Sequence, residues 1–149
     1  MNAFIALGGN VGDVLSTFRI AVDRLASSGA MVAAMSNVYR TRAMTAAPDE
    51  IAPDYWNAVC RVTTELEPRD LLAAMQRIEQ EAGRVRRRRW APRRLDLDLL
   101  TCGDIVVDSD TLSLPHPGLA SRVFVLRPFF EIGADTSVPP KGRTVAELL

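Results

Sequence analysis

Arg89-Trp90-Ala91-Pro92-Arg93-Arg94-Leu95-Asp96-Leu97-Asp98-Leu99-Leu100 is the stretch that decides how this chain folds. Its second half alternates leucine with aspartate, and alternate residues of a strand point to opposite faces. Leu95, Leu97 and Leu99 are therefore expected in the core, with Asp96 and Asp98 projecting together on the other side. Two carboxylates about 6–7 Å apart along a strand repel one another unless something cationic sits over them. From the strand alone, a solvated face salt-bridged to nearby arginines explains the pair equally well. The arginines directly before it favour a sharper reading. A divalent metal and an arginine-clamped polyphosphate would satisfy both halves at once, which is the chemistry of phosphoryl transfer.

Upstream of the strand, Arg84, Arg86, Arg87, Arg88, Arg89, Arg93 and Arg94 crowd one short loop. Before that loop, Pro68 at a first helical turn opens a helix that turns Leu71, Leu72, Met75, Ile78 and Ala82 inward and ends at Gly83. Residues 56–64 and 31–39 read as strands. Between them a stretch from about residue 40 to residue 53 carries Pro48, Pro53 and many alanines, and connections of that length are often lids or binding loops. At the start, residues 3–7 form a short buried strand ended by Gly8-Gly9. Asp13 then N-caps a helix carrying Leu15, Phe18, Val22 and Leu25 and closing near Gly29. Downstream, Gly103-Asp104 turns the chain into a hairpin of residues 105–107 with residues 112–114. The order β-α-β-β-α-β, with the appended hairpin and short C-terminal helices, predicts one α+β domain of ferredoxin-like topology over residues 1–149. The two long loops, about 40–55 and 84–94, precede the third and fourth strands. They are the natural movable walls of a site whose metal ligands sit on a rigid strand.

A chain of 149 residues is long enough for one hydrophobic core. No apolar run approaches a membrane span. Phe4-Ile5-Ala6-Leu7 is too short for a secretory segment and lacks a basic flank, so a cytoplasmic protein without a signal peptide is expected. Cys60 and Cys102 stand apart from any metal-ligand spacing and read as reduced core thiols. The 18 basic residues balance the 18 acidic ones, yet seven arginines share one loop. A neutral chain with one concentrated basic loop suits a compact anion better than a long nucleic acid.

Magnesium typically takes one or two carboxylates plus substrate phosphates and keeps several waters, so two aspartates suffice as protein ligands. Arginine's planar fork suits bidentate phosphate contacts. Gly8-Gly9-Asn10-Val11-Gly12-Asp13 joins a strand to a helix and approaches a ligand or simply makes a tight turn. It is not a P-loop, because the lysine and following Ser/Thr are missing. His116 lies between Pro115 and Pro117 and is either a satisfied structural residue or one facing the phosphates. Tyr55, Trp56 and Asn57 end the first long loop, and Asn57 can both donate to and accept from the edge of a heterocycle.

With these residues assembled, the chain resembles the 6-hydroxymethyl-7,8-dihydropterin pyrophosphokinases of folate biosynthesis. The resemblance covers almost all of the chain, through IALGGNVGD, VYRT, PDYWNAV, QRIEQEAGRVR, the highly specific RWAPRRLDLDLL, and LPHPGLASRVFVLRPFFEI. It implies a ferredoxin-like enzyme that transfers the terminal pyrophosphoryl group of ATP to the pterin hydroxymethyl oxygen and releases AMP. It also implies two Mg2+ ions held by Asp96 and Asp98 against the ATP phosphates. By the same resemblance Arg84 and Arg93 serve the chemical step. Gln76, Glu79, Arg86, Arg89, Trp90, Leu99, Ser113, His116 and Arg122 fall at nucleotide-site positions. Asn57 would read the pterin edge, with Tyr55 and Phe124 stacking on its faces and Thr41 and Met44 lining the pocket. Gly9, Ala91, Thr111 and Pro117 depart from common family residues and leave the metal ligands untouched.

The expected partners are thus ATP and the pterin, with no nucleic acid, no membrane and a monomeric chain. The competing reading is a non-enzymatic RNA-binding module, since ferredoxin-like sheets also display aromatic residues to RNA. The low aromatic content of 6% and the lack of an RNP-like strand argue against it.

Overall fold

The computed structural model describes residues 1–42, 54–83 and 94–149. The chain runs through β1 (Asn2–Gly9), α1 (Val14–Ser27), β2 (Ala30–Met35), β3 (Tyr39–Thr41), β4 (Tyr55–Thr64), α2 (Pro68–Glu81) and β5 (Asp96–Cys102). The sheet is antiparallel in the order β2-β4-β1-β5, with β3 pairing to the opposite end of β4. This is the ferredoxin-like arrangement expected from the element order. The C-terminal part adds the hairpin β6 (Val107–Asp108) and β7 (Ser113–Leu114), a 3-10 turn at Leu119–Ser121, and α3 (Val123–Gly133). A second small hairpin, β8 (Ser137–Val138) with β9 (Arg143–Thr144), and α4 (Val145–Leu148) complete it.

Strand alternation sorts the sheet into two apolar faces. Ile5 and Leu7 of β1 join Leu95, Leu97 and Leu99 beneath α1 and α2, against Phe18, Leu25, Leu71 and Met75. Phe4 and Ala6 face the other way with Val59 and Leu100, under Leu126 and Phe129 of α3 and Val145 of α4. The Phe4 and Phe129 ring centroids are 4.4 Å apart at 38°, a tilted pairing that adds to plain area burial. In β5 the register slips between Ile5–Leu99 and Phe4–Thr101. Alternation sends the consecutive Leu99 and Leu100 into opposite cores, and the bulge at Leu100 returns Cys102 to the Leu97 face. Burial pushes the Cys60 thiol up to about 12 and that of Cys102 up to about 11, which leaves both as inert core groups.

Four local expectations are corrected. The inward face of α1 is Val14, Phe18, Ala21 and Leu25, whereas Leu15 is 46% exposed and Val22 only half-buried. The 3.6-residue period starts one position earlier than Leu15, immediately after Asp13, whose carboxylate caps the Ser16 N–H. Residues 31–39 do not form one strand. The Ser36 hydroxyl accepts from the Val59 N–H at 2.9 Å and donates to the Asn37 carbonyl at 2.8 Å, so a side chain replaces the ladder and the strand breaks there. Glu131 of α3 then holds the break through the Asn37 N–H and the Tyr39 hydroxyl, both at 2.7 Å. The first hairpin is shorter than expected, since Ile105 and Val106 are exposed and precede β6. Finally, β1 is not ended by Gly8-Gly9 but runs through both, with the left-handed turn residue being Gly12 at φ 74°.

Candidate active site

On the face of the sheet turned away from α1 and α2, α3 covers one end, and among the described residues no helix covers the other. At the other end the register places Gly8 opposite Asn57 of β4 on one side and Asp96 of β5 on the other. Ala6 sits opposite Asp98 in the same way. Tyr55 and Asn57, two residues apart on β4, share that face, and Thr41 of β3 pairs with Tyr55. The alternation of β5 thus does what its sequence implies. Leu95, Leu97 and Leu99 are buried and the two aspartates lie half-buried on the open side, the Asp98 side chain being 44% exposed.

Among the described residues, three groups lie around the carboxylates. The Tyr55 hydroxyl donates to Asp96 Oδ2 at 2.7 Å. His116 Nε2 lies 3.9 Å from Asp98 Oδ1, and Arg122 Nη1 lies 4.0 Å from Asp98 Oδ2. These are ion-pair separations longer than direct hydrogen bonds. The loop itself orients the His116 ring. Its main-chain N–H donates to the Leu100 carbonyl at 2.9 Å, and Nδ1 accepts from the Gly118 N–H at 3.0 Å. With Nδ1 an acceptor, the proton of the neutral ring belongs on Nε2, toward Asp98. Burial holds the His116 pKa below its ordinary value, Asp98 opposes that shift and the Arg122 cation reinforces it. The imidazole is therefore a neutral donor at physiological pH. Gly118 makes room for Arg122, since a Cβ there would lie 2.6 Å from its Nε.

Glu79 of α2 has a structural task. It is buried, and its Oε2 accepts the Leu97 N–H at 2.9 Å, capping the outer edge of the strand that carries both aspartates. Alternation in an antiparallel ladder turns the Leu99 main chain to that same edge. The Leu99 side chain is in the core, so any contact of this residue with a nucleotide is through its main chain. Glu79→Ala should destabilise the fold by about 1–3 kcal/mol, because it leaves a buried N–H unpaired. Glu79→Gln, which keeps a carbonyl acceptor, should recover most of that loss in urea denaturation. Equal losses in the two variants would deny the capping role.

The remaining expected residues are scattered around this centre. Gln76 is exposed on α2, Ser113 lies half-buried on β7, and Phe124 is 36% exposed in the first turn of α3. Asn57 is buried, its Nδ2 3.4 Å from the Thr41 hydroxyl. Met44, Arg84, Arg86, Arg89, Trp90 and Arg93 lie outside the described residues, as do most of the two loops expected to wall the site. Of the arginine run only Arg94 is described, its guanidinium against Gly12, whose Cβ would lie 3.2 Å from Arg94 Nη1. The sequence reading missed the part played by Gly8, whose place within β1 only the strand register discloses.

As a metal site, the donor set is oxygen only. Among the described residues no group of three or more His, Cys, Asp or Glu side chains converges on one point. Two carboxylates without a complete protein cage fit a hard cation that is shared with substrate phosphates.

Residues 4–134 match the family of 7,8-dihydro-6-hydroxymethylpterin-pyrophosphokinase (HPPK). The chain is 38% identical over 150 residues to 2-amino-4-hydroxy-6-hydroxymethyldihydropteridine pyrophosphokinase of Haemophilus influenzae, covering all of this chain and 91% of that one. It is 40% identical to the Synechocystis protein of the same name, over 99% of this chain and 74% of the other. Among solved structures, an HPPK-DHPS of Plasmodium falciparum with pterin and p-hydroxybenzoate superposes with a TM-score of 0.73 at 11% identity. That match covers 99% of this chain but only 42% of the larger one, and it bears on the fold alone. The chain belongs to the HPPK family.

Proposed function

We propose that this member of the family uses ATP as its donor and holds two magnesium ions on Asp96 and Asp98 while it pyrophosphorylates the pterin. The enzyme is a diphosphotransferase of folate biosynthesis, acting on 6-hydroxymethyl-7,8-dihydropterin. In the reaction the pterin hydroxymethyl oxygen bonds to the β-phosphorus of ATP, the bond from that phosphorus to the α,β-bridging oxygen breaks, the hydroxyl proton is released and AMP leaves. Magnesium, when bound, offsets the negative charge of the phosphates and holds them for in-line displacement.

The observation that carries this reading is the pairing of Asp96 and Asp98 on one face of the sheet beside Tyr55 and Asn57. The carboxylates supply hard oxygen ligands from a rigid strand. His116, fixed by Leu100 and Gly118, offers an Nε2–H donor beside Asp98, and Arg122 adds a permanent cation there. Both suit phosphate oxygens. Arg84 and Arg93 are assigned to the chemical step by family resemblance, with Arg86, Arg89 and Trp90 on the nucleotide beside Gln76, Ser113 and the Leu99 main chain. Tyr55 and Phe124 offer aromatic faces, Asn57 a polar edge, and Thr41 and Met44 the wall of the acceptor pocket. Among the described residues no helix is long and apolar enough to cross a membrane; a monomer in the cytoplasm is the form proposed.

The test is the product. Incubated with MgATP and the pterin, the protein should release AMP in step with pterin consumption. Release of ADP, or ATP consumption that ignores the pterin, would refute the assignment.

Asn57 tests the acceptor half separately. Asn57→Ala should weaken pterin binding by about 1–3 kcal/mol, the cost of an unpaired buried polar edge. Its affinity for a non-hydrolysable ATP analogue should stay near that of the parent in calorimetry. Equal losses for the two ligands would remove Asn57 from the pocket and leave it a purely structural residue beside Thr41.

A further inference from the structure

Tyr55 belongs to β4 and Asp96 to β5, and β1 runs between them. The Tyr55 side chain nevertheless spans that middle strand, with its hydroxyl 2.7 Å from Asp96 Oδ2. The crossing depends on residue 8 having no side chain. A Cβ at Gly8 would lie 2.6 Å from Tyr55 Cε1, 2.9 Å from its hydroxyl oxygen and 3.1 Å from Cζ. Real Cβ atoms do not approach so closely, so the phenol end of the ring passes directly over the Gly8 main chain.

We infer that the Tyr55 hydroxyl is a positioning group for the Asp96 carboxylate, so that one side chain serves both halves of the site. The inference rests on the functional reading above and deepens it. A carboxylate turns readily about its last bond and presents either oxygen. A donor fixed on Oδ2 sets the carboxylate plane, and with it the direction in which the carboxylate oxygens meet a cation. A phenol suits this task because it is neutral at physiological pH. A lysine or arginine in its place would donate equally well and repel the metal. The ring meanwhile remains part of the acceptor pocket with Asn57. The hydroxyl therefore ties the metal–nucleotide side to the wall against which the pterin stacks.

Tyr55→Phe separates the two roles, since it keeps the ring and removes one oxygen. Calorimetry with α,β-methylene ATP in Mg2+, the same nucleotide in EDTA, and the pterin with nucleotide-free protein gives three affinities. The expected result is about tenfold weaker nucleotide binding in Mg2+, the usual scale for losing an outer partner of a metal ligand. The EDTA and pterin affinities should match those of the parent protein. An unchanged Mg2+-dependent affinity would overturn the positioning role. Equal weakening of all three would overturn it too, since it would reduce the hydroxyl to a packing contact. If the parent protein itself bound neither the magnesium nucleotide nor the pterin, the functional reading would fall first and the inference with it.

Discussion

Asp96→Ala and Asp98→Ala should each lower turnover by about a thousandfold or more, on the order of 4 kcal/mol of transition-state stabilisation. The two carboxylates are the oxygen ligands proposed for the cations that face the transferring group. Loss of either removes a ligand and a full negative charge from a site with no third carboxylate among the described residues. The fold should survive. Both side chains point to the open side of β5, away from the leucine core, and Asp98 is 44% exposed. Its separations of 3.9 Å from His116 and 4.0 Å from Arg122 are of the partly solvated kind that contribute little to stability. Steady-state turnover at ordinary magnesium, beside thermal unfolding of the same samples, separates the two effects. Near-parental turnover in either variant would remove that aspartate from the site, whereas a lowered melting temperature alone would not.

The legible features were those governed by period and local chemistry. Alternation in residues 95–99 placed three leucines and two aspartates on the proper faces of β5, and the Asp13 cap marked the start of α1. The strand of residues 56–64 and the helix opened by Pro68 followed the same logic. What was not legible depends on partners distant in sequence. Ser36 ends β2 because its hydroxyl bonds the main chain of Val59, and Glu131 secures that break from the far end of the chain. Glu79 has the pattern of any helix glutamate until β5 supplies an N–H for it. Among the described residues, the aspartates' surroundings come from two distant segments, β4 through Tyr55 and the connection before α3 through His116 and Arg122. A two-residue period is readable in a window of ten; a hydroxyl that crosses a strand is not.

Gly8 is the clearest such case, because its contribution is the absence of atoms. A glycine pair after a short apolar run reads as the end of a strand, yet Gly8 is paired on both sides at the centre of the site. Glycine weakens a strand interior, and here the open space admits the Tyr55 ring. Gly8→Ala should therefore fold, since the atom it meets at 2.6 Å lies on the movable end of a side chain rather than on backbone. The ring must swing away, which costs the Asp96 hydrogen bond together with the aromatic wall of the acceptor pocket. A fall in kcat/KM for the pterin on the order of a hundredfold is expected. It combines loss of an outer metal partner, about tenfold or more, with an aromatic contact worth about 1 kcal/mol. A double-mutant cycle identifies the cause. In a Tyr55→Ala background there is no ring to displace, so Gly8→Ala should cost almost nothing further. If the two substitutions instead multiplied their effects, Gly8 would act on the site by some route other than Tyr55.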